Sequence, residues 1–179
     1  MTSDVVATPD QAGTTSMARF EFEPHNCFAC GELNDGGLRM ELHIGDRRAW
    51  SELTLDSRFE GWVDVAHGGI VATVLDEVMA WSLVAEDNWG VTARMSIEYR
   101  RPMPIGQPVR AEGWIVRSRR RLVDTAGRIV ARDGTVLATA EGRYVAADEA
   151  RKRELQARYG YRARAARDAT NGLPEPVDG

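Results

Sequence analysis

The chain has 179 residues, 43% of them apolar and 28% charged, which is one domain's worth of material with enough apolar surface for a core. Its 23 basic and 27 acidic side chains leave a formal charge of −4, whereas a general nucleic-acid binder needs a basic surplus. The most apolar run, 65–75, is too short to cross a bilayer, no secretory signal opens the chain, and two cysteines make no disulfide framework, leaving a cytoplasmic enzyme or binding domain.

Residues 1–19 carry Thr, Ser, Ala and Asp without periodicity and read as a flexible leader; the folded domain is expected over 20–146. Residues 38–42 (LRMEL) and 50–55 (WSELTL) alternate apolar and polar side chains around a turn at Gly45-Asp46, which predicts a hairpin. The segment 67–85, HGGIVATVLDEVMAWSLVA, has helical spacing. At 100° per residue, Ile70, Val71, Val74, Leu75, Val78, Trp81 and Ser82 share one wide face. Gly69, Ala72, Thr73, Asp76 and Ala80 form the opposite stripe. A helix apolar over most of its circumference is a buried one. Next, Ala93, Met95, Ile97 and Tyr99 alternate with Arg94, Ser96, Glu98 and Arg100 until Pro102 stops the strand. Further strands are predicted at 109–117, 122–132 and 136–145, the last two joined by the hairpin signal Asp133-Gly134. Gly113 and Gly127 inside them point to bulges or close backbone approach. Residues 147–168 read as a C-terminal helix docked through Leu155 and Tyr159, and 169–179 as a flexible tail. This order predicts an α+β domain, a mostly antiparallel sheet wrapped around one long central helix.

Asp76 is the one carboxylate in a stripe of small residues, so it is expected in a narrow, poorly hydrated groove. Desolvation there raises a carboxyl pKa and suits a general base, unless hydrogen bonds hold the group ionised. Its neighbour Glu77 reads as an exposed or interface hydrogen-bonding residue. Gly68 and Gly69 open the helix, where the first amides lack internal acceptors and carry the positive dipole end. Bare of side chains, those amides let a carbonyl oxygen approach and be polarised, although two glycines also simply admit a tight turn. Gly68 and Asp76 are separated by about 12 Å along one helix. A site that uses both needs Asp76 of one subunit beside Gly68-Gly69 of another, and hence a homodimer or homotetramer.

Two further patterns have a chemical reading. Cys27-x-x-Cys30 with His25 and His43 offers four zinc ligands on paper, but the second half of an ordinary zinc motif is missing. From 91 to 132, ten arginines face only Glu98, Glu112 and Asp124. Such a cluster favours an anionic, phosphate-bearing ligand, or forms a solvated basic edge that keeps sheets from aggregating.

The runs HGGIVATVLDE, TARMSIEYRRP, CFACGELNDGGLRM and FEGW, over about 25–146, resemble the hotdog-fold acyl-CoA thioesterases of the phenylacetate-pathway and human thioesterase-superfamily type. The resemblance implies a hotdog fold and hydrolysis of an acyl-CoA thioester to free acid and CoA by a homo-oligomer, with no metal or other cofactor. It puts the catalytic carboxylate on Asp76 and the oxyanion-hole amide on Gly68, with Gly69 beside it against the substrate. The hydroxyl that places water or the carboxylate falls on Thr92. The motif histidine falls on His67, which some members use near the thioester and which otherwise is a buried structural residue. Arginines such as Arg100 and Arg101 would meet the CoA phosphates. Several members hold the thioester or the water with a polar side chain where this chain has Gly61; that role is absent here or passes to Glu60 or Asp64. A CFxCG segment commonly opens the domain in these relatives, so Cys27 and Cys30 read as packing. Asp76 would activate water or attack the thioester itself through an anhydride. The same fold also hosts acyl-thioester hydratases and dehydratases, in which His67 and Asp76 would shuttle a proton, and non-catalytic acyl-CoA-binding proteins.

Overall fold

The computed structural model describes residues 18–160 and 162–165; the expected tail and most of the expected leader lie outside the described residues. In chain order the elements are β1 (Ala18–Glu21), β2 (His43–Gly45), β3 (Arg48–Thr54), the short strands β4 (Glu60–Trp62) and β5 (Val65–Ala66), and helix α1 (Gly68–Val84). They continue with β6 (Gly90–Tyr99), β7 (Pro108–Arg119), β8 (Leu122–Ala131), β9 (Val136–Ala146), helix α2 (Glu149–Tyr159) and β10 (Arg162–Ala165). Eight strands form one sheet ordered β10-β1-β2-β3-β7-β8-β9-β6, every pair antiparallel, and β4 and β5 pair by themselves. No helix among the described residues is long and apolar enough to cross a membrane.

Helix α1 lies against the sheet with Val71, Val74, Leu75, Val78, Met79, Trp81 and Leu83 buried. The strand glycines explain how near it comes. A Cβ on Gly113 would stand 2.5 Å from the carbonyl carbon and oxygen of Val78 and 2.6 Å from the amide nitrogen of Met79. Gly127 and Gly142 likewise leave room for Met79. Of the two expectations for Gly113 and Gly127, close approach is the one realised. They pair directly with each other, and the nearest register shifts fall beyond them, at Ile115/Arg117 and Ile129/Val130.

Three strand predictions, 109–117, 122–132 and 136–145, match β7, β8 and β9 to within two residues. The first hairpin does not fall where expected. Residues 38–42 are not a strand: the Leu38 and Met40 amides donate to the carbonyls of Phe28 and Ala29, both at 2.8 Å. Their alternation records packing of Met40 and Leu42 into the core. The hairpin is β2–β3, turned by Asp46 and Arg47 at φ 30° and 61°. The C-terminal helix is also shorter than 147–168. Asp148 caps its start, and Gly160, at φ 47°, ends it after Tyr159, so that the chain turns back as β10 beside β1. Leu155 and Tyr159 do pack on the core, and Lys152 and Gln156 tie the helix to Asp87.

Strand β6 ends the sheet, and its outer edge meets no other strand among the described residues. Val91 and Tyr99 on it are 70% and 56% exposed.

Candidate active site

Asp76 lies in the middle of α1, opposite the β6–β9 pair. Thr92 and Tyr144 are cross-strand partners in that pair, so their hydroxyls reach the same point from adjacent strands. The Thr92 hydroxyl donates to Asp76 Oδ1 at 2.7 Å, and the Tyr144 hydroxyl donates to the same oxygen at 2.8 Å. Tyr144 also lies 3.1 Å from the Asp76 carbonyl oxygen. Oδ2 accepts no hydrogen bond among the described residues. Two donors on one oxygen fix the carboxylate's orientation and leave the other oxygen for chemistry.

Asp76 and Thr92 were expected together; Tyr144 was missed. Its signal was a lone tyrosine at the end of the series Ala138, Ala140, Gly142, whose small members face the helix. Burial, and then the charge of Asp76, raise the phenol's pKa above its ordinary value, so Tyr144 stays a donor.

The start of α1 is built around His67. It is the N-cap, at φ −60° and ψ 136°, and its Nδ1 accepts the Gly69 amide at 3.0 Å. A neutral ring that accepts at Nδ1 carries its proton on Nε2. His67 is exposed, so of its two readings the buried structural histidine is the one not realised, and the residue is an exposed cap. The expectation that both glycine amides lie uncovered is corrected as well: the Gly69 amide is taken by the cap. Gly68, also exposed, keeps an amide with no acceptor among the described residues. The Tyr99 hydroxyl donates to the Gly68 carbonyl at 3.0 Å, and its ring would lie 3.7 Å from a Cβ placed on Gly68.

Gly61 lies against this cap. A Cβ there would come within 2.9 Å of the His67 Cα, so a polar side chain at this position would displace the histidine. Of the two neighbours considered for that role, Glu60 already accepts the Asp64 amide at 3.1 Å. Arg100 and Arg101 are exposed just after β6. Arg100 forms an ion pair with Glu98 at 2.9 Å. The three carboxylates of the arginine-rich stretch are all engaged in this way: besides Glu98, Asp124 is shared by Arg117 and Arg143, and Glu112 by Arg110 and Arg128, so the surplus itself stays uncompensated within 91–132.

Beside Asp76, Glu77 turns to a different neighbourhood. It is half-buried, accepts the Trp81 indole N–H at 2.8 Å, and has Cys27 Sγ 3.9 Å from both carboxylate oxygens. Burial, then the nearby Cys27, push its pKa up to about 7. The Cys27 thiol is lowered to about 5 because Cys30 donates to it, and Cys30 is raised by the same bond. His25 Nε2 lies 3.4 Å from Cys30 Sγ, whereas His43 stacks on Trp50 at 5.3 Å between ring centres.

Residues 64–138 match the thioesterase superfamily. A crystallised thioesterase superfamily protein, RHA08564, is 30% identical over 67% of this chain and 60% of its own, with a TM-score of 0.64. The chain is thus similar to thioesterase-superfamily proteins over this central stretch. The matched region spans less than two thirds of RHA08564. Two other solved structures share the hotdog fold at low identity. The PaaI protein of E. coli, from the phenylacetic acid degradation operon, is 16% identical over 57% of this chain and 75% of its own, with a TM-score of 0.55. The smu.793 protein of Streptococcus mutans, bound to acetyl CoA, is 15% identical over 65% of this chain and 97% of its own, with a TM-score of 0.58. A search of the curated proteins found no match.

Proposed function

We propose that this chain hydrolyses an acyl-CoA thioester to a free acid and CoA, as a homo-oligomer whose sites are each shared by two subunits. The observation that carries the reading is the Asp76 carboxylate, held at one oxygen by Thr92 and Tyr144 and open at the other. The Gly68 amide of one subunit polarises the thioester carbonyl, and Asp76 of the facing subunit takes a proton from the attacking water or attacks directly. In either route the carbonyl oxygen gains negative charge at the Gly68 N–H, and collapse of that adduct breaks the C–S bond; in the first route the proton held by Asp76 passes to the departing thiolate, and in the second water hydrolyses the Asp76 anhydride to the free acid and supplies that proton. The about 12 Å between the two groups along one helix is what requires the second chain. The free edge of β6, with Val91 and Tyr99 exposed, supports its pairing with a second copy of itself. Support for the substrate class comes from the superfamily and from acetyl CoA on the S. mutans protein. The Arg100–Glu98 pair is exposed and hence weak, so Arg100 can exchange it for a CoA phosphate, with Arg101 beside it.

Subunit mixing with a thiol-release assay over an acyl-CoA panel tests the reading. Gly68→Pro removes the one free amide at a position where proline suits a helix, and His67 already has the extended backbone that proline demands of its predecessor. Gly68→Pro and Asp76→Asn are each expected to be inactive alone. Unfolded together and refolded in equal amounts, they should regain about a quarter of wild-type activity, from mixed dimers with one intact site. No regain, or enoyl-CoA hydration without thiol release, or ligand binding without turnover in the wild type would overturn it.

Tyr144→Phe removes one donor to a charged acceptor, worth about 1.5–3 kcal/mol, so turnover should fall roughly 10- to 100-fold with KM little changed. Steady-state kinetics of thiol release checks this.

A further inference from the structure

Away from the Gly68 end of the helix, three side chains with metal-binding atoms converge, and a histidine stands beside one of them. Ligand atoms of Cys27, Cys30 and Glu77 all lie within 4.8 Å of one another, and His25 Nε2 is 3.4 Å from Cys30 Sγ. Tetrahedral zinc with sulfur bonds of about 2.3 Å and nitrogen or oxygen bonds of about 2.0–2.2 Å needs ligand atoms roughly 3.5–3.8 Å apart. The spacings of 3.9 Å between Cys27 Sγ and the Glu77 oxygens and 3.4 Å between His25 and Cys30 are close to that.

The surroundings orient these groups as ligands. His25 Nδ1 donates to the Glu23 carbonyl at 3.0 Å, so the lone pair of the neutral ring is on Nε2, toward Cys30. The Trp81 N–H donates to Glu77 Oε1 at 2.8 Å, and both carboxylate oxygens face Cys27 Sγ at 3.9 Å. The turn carrying both sulfurs is tight. The Gly31 amide donates to the Cys27 carbonyl at 2.9 Å, and a Cβ on Gly31 would stand 2.4–2.5 Å from backbone atoms of Cys27 and His25.

We propose that Cys27, Cys30 and Glu77 bind one zinc ion, that His25 moves in from beside Cys30 as the fourth ligand, and that the ion fastens the 25–31 turn to the central helix. Two thiolates and a carboxylate make this a soft, anionic site that favours zinc over magnesium or calcium. On binding, the cysteine thiols give up their protons to the buffer and the sulfurs bond the metal. The ion neutralises charge that otherwise crowds one end of the core, and it spans about fifty residues of sequence, so its effect should appear in stability.

The test uses the full chain, stripped with a chelator and titrated with Co2+ and then Zn2+. The expected result is a thiolate-to-cobalt charge-transfer absorption that saturates near about one ion per chain, is abolished by Zn2+, and is accompanied by a higher melting temperature with Zn2+. Cys27→Ser should abolish the absorption, and Glu77→Gln or His25→Ala should weaken binding at least about 10-fold. The absence of that absorption, or its survival in Cys27→Ser, would overturn the site. So would a purified chain lighter by two hydrogens, its cysteines joined as a disulfide. Should Cys27→Ser fail to fold, alkylation of the wild type decides: Zn2+ must slow labelling of both thiols, and unslowed labelling overturns the proposal.

Discussion

Asp76→Asn should lower acyl-CoA turnover about 10²- to 10⁴-fold, the range that a positioned proton acceptor supplies. The substitution isolates chemistry from structure. An asparagine oxygen still accepts the hydroxyls of Thr92 and Tyr144, which sit 2.7 and 2.8 Å from Oδ1, so the side chain should keep its place and the melting temperature should barely move. What is lost is the open oxygen, which can no longer take a proton or attack a carbonyl. KM should change little, because the amide of Gly68 and the contacts to CoA lie elsewhere. Asp76→Ala is the less informative variant, since it also removes the oxygen that both hydroxyls share and leaves Tyr144 only the Asp76 backbone carbonyl. Thiol release by the purified Asn variant measures the effect; retention of full activity would remove Asp76 from the mechanism.

How far the fold could be read from the sequence depended on whether its signal was local. Helix α1 and strands β7 to β9 were legible because burial imposes the 3.6 and 2.0 periods directly on Val71, Val74, Leu75 and Val78, and on the alternation along each strand. Residues 38–42 have the same alternation for another reason, a pairing with the turn at Phe28 and Ala29 that no local pattern distinguishes from a strand. The helix after Asp148 ran on in composition but not in structure, because Gly160 can adopt the left-handed backbone that ends it.

At the site, Asp76 stood out as a charge among small residues. Tyr144 did not, because its role depends on lying across from Thr92, a register fixed only when β6 pairs with β9. Gly69 shows the reverse case. Its amide looked open from the sequence, yet the preceding histidine folds back to accept it, and the spacing of the two gives no hint of which atom wins. Glu77 was read as an exposed or interface hydrogen-bonding residue; fifty positions separate it from Cys27, and their contact exists only through the packing of the N-terminal turn on the helix.

Gly113→Ala should be the most damaging single methyl group between the central helix and the sheet among the described residues. The added carbon would stand 2.5 Å from the Val78 carbonyl, more than about 1 Å inside ordinary contact, and the neighbour is helix backbone that no rotamer change can move aside. The helix must lift as a body, which loosens its packing on β7 and β8 together. The loss should reach about 3 kcal/mol or more, a large share of a typical domain's stability, and lower the melting temperature by on the order of 10 °C. Gly127→Ala should do less, since one of its two nearest neighbours is the flexible Met79 side chain. Gly45→Ala has nothing within 4 Å and should be nearly neutral. Thermal melts of the three variants check the order. The same displacement carries Asp76 away from Thr92 and Tyr144, which belong to the sheet. Gly113→Ala that remains folded at low temperature should therefore lose turnover as well, whereas Gly45→Ala should keep it. Equal stability across the series would mean that the helix does not rest on the sheet at Gly113, and the carboxylate's alignment by two strands would lose its mechanical basis.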